Sequence, residues 1–251
     1  MKKLIYLFII NLFLISKSFA LIEIDITRGN LDPLPIAVSP LHLDIKSENY
    51  DGIKIKLLGD DISKIIENNF RSTGLFNPLK KEAFVQKPDI AHLKPRFEDW
   101  RLIKAQALVT GKLLVINGKL KVEFRLWDLA AAKEMTALAF TTTPSNWRRV
   151  AHIISDKIYE RLTGEEGYFD TRIIYVAESG PKNQRIKKIA IMDQDGANTK
   201  YLTLGNELVL TPRFNPTNQM VTYMSYFEIC QEFTYLISKL VLKKLLGIFP
   251  G

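Results

Sequence analysis

Alternating apolar and polar residues predict a β-hairpin in the middle of the chain. The segment 119–128 places apolar side chains at every second position, namely Leu120, Val122, Phe124 and Leu126. Asn117-Gly118 precedes this segment, and that dipeptide is the strongest short-range signal for a tight turn between two strands. Residues 107–116 form the other arm, and residues 135–143 form a further strand. One face of the sheet is therefore expected to be buried and the other to face water.

Two longer segments repeat their apolar residues at helical spacing. These residues are Ile62, Ile65, Ile66 and Phe70 in the first segment, and Trp147, Val150, Ala151, Ile154, Ile158 and Leu162 in the second. The first helix is expected to be capped by Asp60 or Asp61 and to end at Gly74. The second is expected to be capped by Ser145 and to end at Gly164. With four or five strands, two such helices predict an α+β domain of one sheet and one helical layer.

The last third of the chain contains short apolar segments separated by turns. Residues 173–176, 186–192 and 220–226 are rich in β-branched and aromatic side chains, which favour strands. Asp195-Gly196 predicts a hairpin turn, because glycine adopts a positive φ without a Cβ clash. Pro212 and Pro216 exclude helical and central-strand conformations for the residues between them. This order of short strands and tight turns is typical of one blade of a β-propeller.

Three motifs in this region carry a resemblance to a known family. They are Asp193-Gln194-Asp195-Gly196-Ala197-Asn198, Leu202-Thr203 and Pro212-Arg213-Phe214-Asn215-Pro216. Residues 171–226 thereby resemble the first propeller blade of the TolB family, the periplasmic components of the Tol–Pal envelope system of Gram-negative bacteria. The chain departs from the family at Asn215, Thr217 and Asn218, where serine, aspartate and glycine are usual. The resemblance implies a non-enzymatic role in outer-membrane integrity and cell division.

The N-terminus has the pattern of a secretory signal peptide. Lys2 and Lys3 precede an apolar segment, and Ser18-Phe19-Ala20 places small residues at a cleavage site between Ala20 and Leu21. The uncharged stretch is shorter than the roughly 20 residues that a membrane-spanning helix requires. Removal of residues 1–20 lowers the net charge from +8 to +5, because that segment contains three lysines and no acid. The signal peptide predicts export, and the resemblance to the TolB family implies a location in the periplasm.

Residues after the predicted cleavage site alternate between apolar and polar side chains. Ile22, Ile24 and Ile26 occupy one face, as expected for an ordinary first strand of the domain or for an edge strand. Such a strand can also detach and pair with the sheet of another protein. In the TolB family this segment binds the inner-membrane protein TolA, and residues 21–32 occupy the matching place. The resemblance assigns partner binding to Leu21, Ile22, Glu23, Ile24, Asp25, Ile26, Thr27 and Arg28.

Motifs for catalysis or cofactor binding are missing from the sequence. It contains neither a Gly-x-Ser-x-Gly elbow nor a glycine-rich nucleotide loop, and its basic excess is too scattered to favour nucleic acid. His42, His92 and His152 are isolated along the chain and are expected to be packed or exposed histidines without a metal. The turn that starts at Asp193 lacks the glutamate of a calcium loop, because Leu204 stands at position twelve. No enzyme, cofactor, metal or small-molecule substrate is therefore expected.

The tail after Phe227 departs from the family resemblance. Residues 228–246 are apolar with three lysines, which predicts an amphipathic helix that packs on the domain or lies on a membrane. The other explanation, which we adopt as the hypothesis, is a frameshift near Phe227, with residues 247–251 resembling the family again. The expected organisation is therefore a signal peptide (1–20), a TolB-like N-terminal α/β domain (21–167), about one propeller blade (168–227) and an aberrant tail (228–251).

These observations leave two functional interpretations. The first is a truncated TolB-like periplasmic binding protein that keeps the TolA-contacting segment. Because a propeller usually has at least about four blades, one blade argues against binding of the lipoprotein Pal, which the family holds with its propeller. The second is an exported enzyme fragment or membrane-associated adaptor that uses the apolar tail.

Overall fold

A computed structural model describes residues 22, 24, 32–44, 55–215 and 220–226, and the backbone of residues 238–244. The predicted signal peptide lies outside the described residues, and so does most of the predicted N-terminal strand. Within the described part of the chain, no helix combines the length and apolar character needed to cross a membrane. The chain divides into two units, residues 1–167 and residues 168–251.

The first unit contains a six-stranded sheet. Its strands are β1 (Leu34–Val38), β2 (His42–Leu43), β3 (Phe76–Pro78), β4 (Ala107–Ile116), β5 (Lys119–Asp128) and β6 (Lys133–Thr142). The order is β3-β1-β4-β5-β6, and β2 also pairs with β4. Strands β1 and β2 run parallel to β4, whereas β4, β5 and β6 are antiparallel. The prediction of four or five strands was wrong, because β2 and β3 are too short to show an alternating pattern.

The central hairpin has the predicted turn. Ile116 pairs with Lys119 across Asn117 and Gly118, whose φ angles are 50° and 68°. Positive φ at both central residues is the requirement of a type I′ turn, which matches the right-handed twist of the flanking strands. The four alternating apolar side chains of β5 are all buried, as predicted.

Among the described residues of the first unit, four α-helices accompany the sheet: α1 (Ile55–Thr73), α2 (Pro88–Ala91), α3 (Phe97–Leu102) and α4 (Trp147–Thr163). Helices α1 and α4 pack against each other, and their apolar faces cover the sheet side that carries the buried residues of β5. Asn69 of α1 links the two helices, because its Nδ2 donates to Ser155 Oγ over 2.9 Å. Both helices end as predicted, at Gly74 and Gly164, with φ angles of 71° and 76°.

Both predicted helix caps were wrong. Helix α1 begins at Ile55, so Asp60 and Asp61 lie inside it, because Ile55 and Leu58 extend its buried stripe towards the N-terminus. Ser145 belongs to a short 3₁₀ turn, Pro144–Asn146, which precedes α4. The hydroxyl of Ser145 lies 3.1 Å from Thr143 Oγ1 and does not cap the helix.

The other side of the sheet is partly covered by the segment that contains α2 and α3. Trp100 and Leu108 are buried there in a cluster completed by Ala37, Ala91, Ala105 and Leu129. Gln86 holds this segment together. Its Oε1 accepts hydrogen bonds from Arg96 N and Trp100 Nε1, and its Nε2 donates to Lys94 O. The buried side-chain amide of Gln86 therefore links Lys94, Arg96 and Trp100 in a segment with little regular secondary structure.

The second unit contains two small sheets. Their strands are β7 (Arg172–Ser179), β8 (Ile186–Asp193), β9 (Lys200–Tyr201), β10 (Leu208–Phe214), β11 (Met220–Tyr226) and β12 (Ser238–Lys244). The orders are β7-β8-β9 and β10-β11-β12. Ile189, Val209, Val221 and Tyr223 form a buried cluster shared by the two sheets. The segments predicted as one blade are thus divided between two sheets of an incomplete propeller region, and the β8–β9 hairpin lies at the predicted turn.

Two details of the second unit concern β10 and β12. Pro212 lies in β10, an edge strand, beside a register shift between Leu210 and Arg213. A proline is tolerated at such a position because no ladder hydrogen bond requires its missing N–H. The prediction of an amphipathic helix was wrong for Ser238–Lys244, because this segment pairs with the free side of β11 as a strand.

Candidate partner-binding site

Two backbone amides of the predicted partner-binding segment contact β5 and α4 of the first unit. Ile22 N donates to Asp128 Oδ2 over 3.2 Å, and Ile24 N donates to Leu162 O over 2.7 Å. Both isoleucines are partly buried. The remaining residues of the predicted site lie outside the described residues: Leu21, Glu23, Asp25, Ile26, Thr27 and Arg28.

Asp128 provides a buried acceptor at the end of β5. Its Oδ1 accepts from Ala131 N over 2.9 Å and thereby fixes the tight turn into β6, in which Ala132 has a φ of 52°. Its Oδ2 accepts from Ile22 N. The carboxylate is completely buried, and hydrogen bonds from two amides compensate for the loss of solvent around its charge.

Leu162 provides the second acceptor from the last turn of α4. The last carbonyl groups of a helix have no partner within the helix. Here Gly164 N bonds to Glu160 O, and Thr163 Oγ1 bonds to Tyr159 O, while Leu162 O accepts from Ile24 N. The segment around Ile24 therefore satisfies a carbonyl that the helix itself leaves open.

The two contacts are spaced as expected for an extended chain. Amides two residues apart point to the same side of such a chain, so Ile22 and Ile24 can both face the domain. Backbone hydrogen bonds do not depend on side-chain identity, and a sheet edge of another protein offers equivalent acceptors. The amides of the segment can therefore be satisfied either on its own domain or on the sheet edge of a partner.

Sequence inspection missed Asp128 and Leu162. Asp128 lies 106 residues from Ile22, and the contact uses only the backbone of the N-terminal segment. No local pattern reports such a contact. The one sequence signal at Asp128 is that it ends the alternating pattern of β5 shortly before three consecutive alanines, Ala130 to Ala132.

The histidines occupy different environments. The rings of His42 and His92 stack with their centroids 4.4 Å apart. His92 Nδ1 also lies 3.0 Å from Pro88 O. Burial lowers the pKa of the His42 imidazole, and the neighbouring His92 lowers it further, whereas Asp89 and Asp44 act in the opposite direction. His152 is buried, and its Nδ1 lies 3.0 Å from Asn69 Nδ2.

The calcium-like turn between β8 and β9 uses its polar side chains to stabilise itself. Asn198 Nδ2 donates to Asp193 Oδ2 over 2.6 Å, and Asp195 Oδ1 accepts from Ala197 N over 3.1 Å. Gly196 has a φ of 84°, and Asp195 and Gly196 are exposed. These contacts are those of a hairpin turn.

Comparison with known proteins gives the family. Residues 22–135 match the TolB amino-terminal domain, and residues 159–238 match the TolB beta propeller domain. The chain is 67% identical over 248 residues to the Tol-Pal system protein TolB of Pelagibacter ubique (strain HTCC1062). The chain belongs to the TolB family. The alignment covers 98% of this chain and 56% of the Pelagibacter TolB, so the chain spans little more than half of that relative.

A solved TolB structure supports the same fold. The crystal structure of TolB from Acinetobacter baumannii superimposes with a TM-score of 0.63 at 23% sequence identity. The superposition covers 77% of this chain and 44% of the Acinetobacter chain. The match to the TolB propeller domain continues to residue 238, past Phe227, where the resemblance noticed by inspection ended.

Proposed function

We propose that this TolB-family chain is a non-enzymatic periplasmic component of a Tol–Pal system and binds a TolA-like inner-membrane protein through residues 21–28. The observation that carries the proposal is the 67% identity to a Tol-Pal system protein TolB. The alternating pattern of Ile22, Ile24 and Ile26 supports it, because such a segment can add a strand to the sheet of a partner.

The contacts of Ile22 and Ile24 suggest how binding is balanced. When the segment pairs with a partner, its amides exchange Asp128 and Leu162 for acceptors on the partner. Docking on the domain therefore competes with partner binding. The apparent affinity for the partner equals the intrinsic affinity multiplied by the fraction of molecules whose segment is undocked. Weaker docking is expected to strengthen partner binding.

The proposal does not include a Pal-like lipoprotein as a partner. The described propeller region of the chain consists of two three-stranded sheets, whereas a propeller usually has at least about four blades. The proposal also differs from a membrane-associated adaptor, for which an amphipathic tail helix was the supporting feature. Ser238–Lys244 forms a strand instead.

A binding assay with the C-terminal domain of a TolA-like protein tests the proposal. The purified chain is passed over the immobilised domain and compared with a variant that lacks residues 21–32. The deletion is expected to abolish binding. The matched control replaces the exposed Leu93 and Leu102 by Asp and is expected to retain it. Binding that survives the deletion would reject the assignment of the site.

A second variant tests the competition between docking and binding. Asp128→Asn leaves one side-chain oxygen where two now accept from Ile22 N and Ala131 N. The affinity for the TolA-like domain is expected to rise a few-fold if the variant remains folded by circular dichroism. Unchanged affinity would show that docking at Asp128 does not limit binding.

A further inference from the structure

The β5–β6 loop, residues 129–132, directly follows the acceptor for the N-terminal segment. That acceptor is Asp128, whose Oδ2 accepts from Ile22 N while its Oδ1 accepts from Ala131 N within the loop. The last torsion of an aspartate side chain has only broad preferences, so the bond to Ala131 N sets the orientation of the carboxylate. The position of Ala131 N therefore decides where Asp128 Oδ2 is offered to Ile22.

Arg101 of α3 binds the carbonyl groups of the β5–β6 loop. Its Nε donates to Leu129 O over 2.6 Å, and its Nη2 donates to Ala130 O over 3.2 Å. The planar guanidinium presents its donors in a fixed fork, so one arginine can hold two neighbouring carbonyl groups. A charged donor also makes stronger hydrogen bonds than a neutral one. Arg101 therefore restrains the two peptide groups between Leu129 and Ala131.

One peptide group of the loop connects Arg101 with Asp128. The C=O of Ala130 and the N–H of Ala131 belong to the same planar peptide unit. The oxygen of this unit accepts from Arg101, and its N–H donates to Asp128. Hydrogen bonds that follow one another through such a group polarise and strengthen each other. A continuous series of hydrogen bonds thus runs from Arg101 through the loop and Asp128 to Ile22.

We infer that Arg101 is a positioning residue for the N-terminal segment, because it fixes the β5–β6 loop in the place where Asp128 can hold Ile22. Loss of Arg101 weakens this docking without removing a group that bonds to the segment in the described contacts. The consequence for partner binding rests on the proposed function. A larger undocked fraction is expected to raise the apparent affinity for a TolA-like domain.

Amide hydrogen exchange in the purified chain tests this role without any partner. NMR follows the exchange residue by residue, and the amides of β5 report global unfolding. Arg101→Met keeps an unbranched side chain but has no donor, and the partly exposed position leaves no buried cavity. This variant is expected to exchange the amide of Ile22 about three- to tenfold faster than the wild type, with β5 unchanged. Unchanged exchange at Ile22 would overturn the role of Arg101.

Arg96→Met is the matched control. Arg96 pairs with Asp99 as Arg101 pairs with Glu98, so each change removes one ion pair of the same spacing. Among the described residues, Arg96 makes no hydrogen bond with the β5–β6 loop. Its replacement is expected to leave exchange at Ile22 within about twofold of the wild type. Equal acceleration in Arg96→Met and Arg101→Met would overturn the specific role of Arg101.

Arg101→Lys provides the same comparison with a more conservative change, should Arg101→Met fail to fold. Lysine keeps the positive charge but lacks the planar fork that holds two carbonyl groups. Exchange at Ile22 is therefore expected to lie between that of the wild type and that of Arg101→Met. Exchange in Arg101→Lys that is slower than in the wild type would contradict the need for the fork.

A double variant tests whether Arg101 acts through Asp128. Asp128→Asn removes one of the two carboxylate oxygens that join the loop to Ile22. Addition of Arg101→Met to this variant is expected to change exchange at Ile22 by less than about twofold, because residues in one hydrogen-bond network are not additive. Fully additive effects would show that Arg101 acts by another route and would overturn the inferred role.

Binding to a TolA-like domain distinguishes this role from the proposed function. Arg101→Met is expected to bind the domain a few-fold more tightly than the wild type does. If exchange at Ile22 is accelerated but neither protein binds the domain, the proposed function fails and the positioning role stands. If both proteins bind the domain but exchange at Ile22 is unchanged, the proposed function stands and the positioning role fails.

Discussion

His42 and His92 stack face to face in the first unit, with 4.4 Å between ring centroids and 7° between ring planes. His42 belongs to β2 and His92 directly follows α2, so two elements distant in sequence meet through these rings. Burial is the main reason why the pKa of His42 is lowered, and the neighbouring His92 and, to a lesser extent, Lys112 lower it further, whereas Asp89 and Asp44 oppose them.

The lowered pKa of His42 predicts a loss of stability in acid. The unfolded chain binds this proton at a higher pH than the folded chain does. The free energy of unfolding therefore falls as the pH drops below about 6.5, the ordinary pKa of histidine. His42→Phe keeps a ring for stacking and removes the titration. Its melting temperature is expected to depend less on pH between about 7 and 5 than that of the wild type. An identical pH profile would contradict this.

Gly59 is expected to tolerate no side chain, although it lies inside α1. An added Cβ would overlap the backbone carbonyl oxygen of Leu41. In an unobstructed helix Gly→Ala stabilises by about 1 kcal/mol. Here Gly59→Ala is expected to destabilise by about 1–3 kcal/mol, because the helix must move away from residues 39–41. Chemical denaturation measures the sign, and a stabilised variant would refute the close approach.

The amide of Gln86 is expected to contribute strongly to stability. Its side chain is 3% exposed and makes three hydrogen bonds, one of them with the buried Trp100. Gln86→Leu leaves those partners unsatisfied and is expected to cost about 2–4 kcal/mol. Gln106→Leu is the control, because the side chain of Gln106 is exposed. That change is expected to stay within about 0.5 kcal/mol. Equal effects in urea denaturation would contradict the role of Gln86.

Lys81 is expected to stabilise the ionised form of Glu67. Lys81 Nζ lies 3.5 Å from Glu67 Oε1 and 2.7 Å from Ser63 Oγ. Burial raises the pKa of Glu67, and Lys81 opposes that rise. In Lys81→Met the pKa of Glu67 is expected to rise further. An acid with a raised pKa destabilises the fold once the pH is high enough to ionise it.

The stability loss in Lys81→Met is therefore expected to be larger at pH 7 than at pH 4, by about 1 kcal/mol or more. The double variant Lys81→Met/Glu67→Gln serves as the control, because it has no carboxylate to ionise at this position. Its stability is expected to vary less between the two pH values. A pH-independent loss in the single variant would exclude an electrostatic role for Lys81.

Several elements followed from local sequence patterns. The alternation of apolar and polar residues along β5 predicted its buried face, and Asn117-Gly118 predicted the turn between β4 and β5. Gly74 and Gly164 marked the ends of α1 and α4. In each case the signal and the structure involve residues that are close in sequence, because turn conformation, strand alternation and helix termination depend on neighbouring backbone angles and side chains.

Other features required the tertiary structure. The two-residue strand β2 exists because β4 offers a parallel partner, and α1 starts before Asp60 because Ile55 and Leu58 find a core to pack against. Likewise, Ile22 meets Asp128 although 106 residues separate them. Periodicity and turn chemistry act over a few residues, so they determined the hairpin and the helix ends of this protein. The tertiary fold decided which partners the short strands, the buried amides and the stacked rings contact. It brings together groups that are distant in sequence and that no local pattern connects.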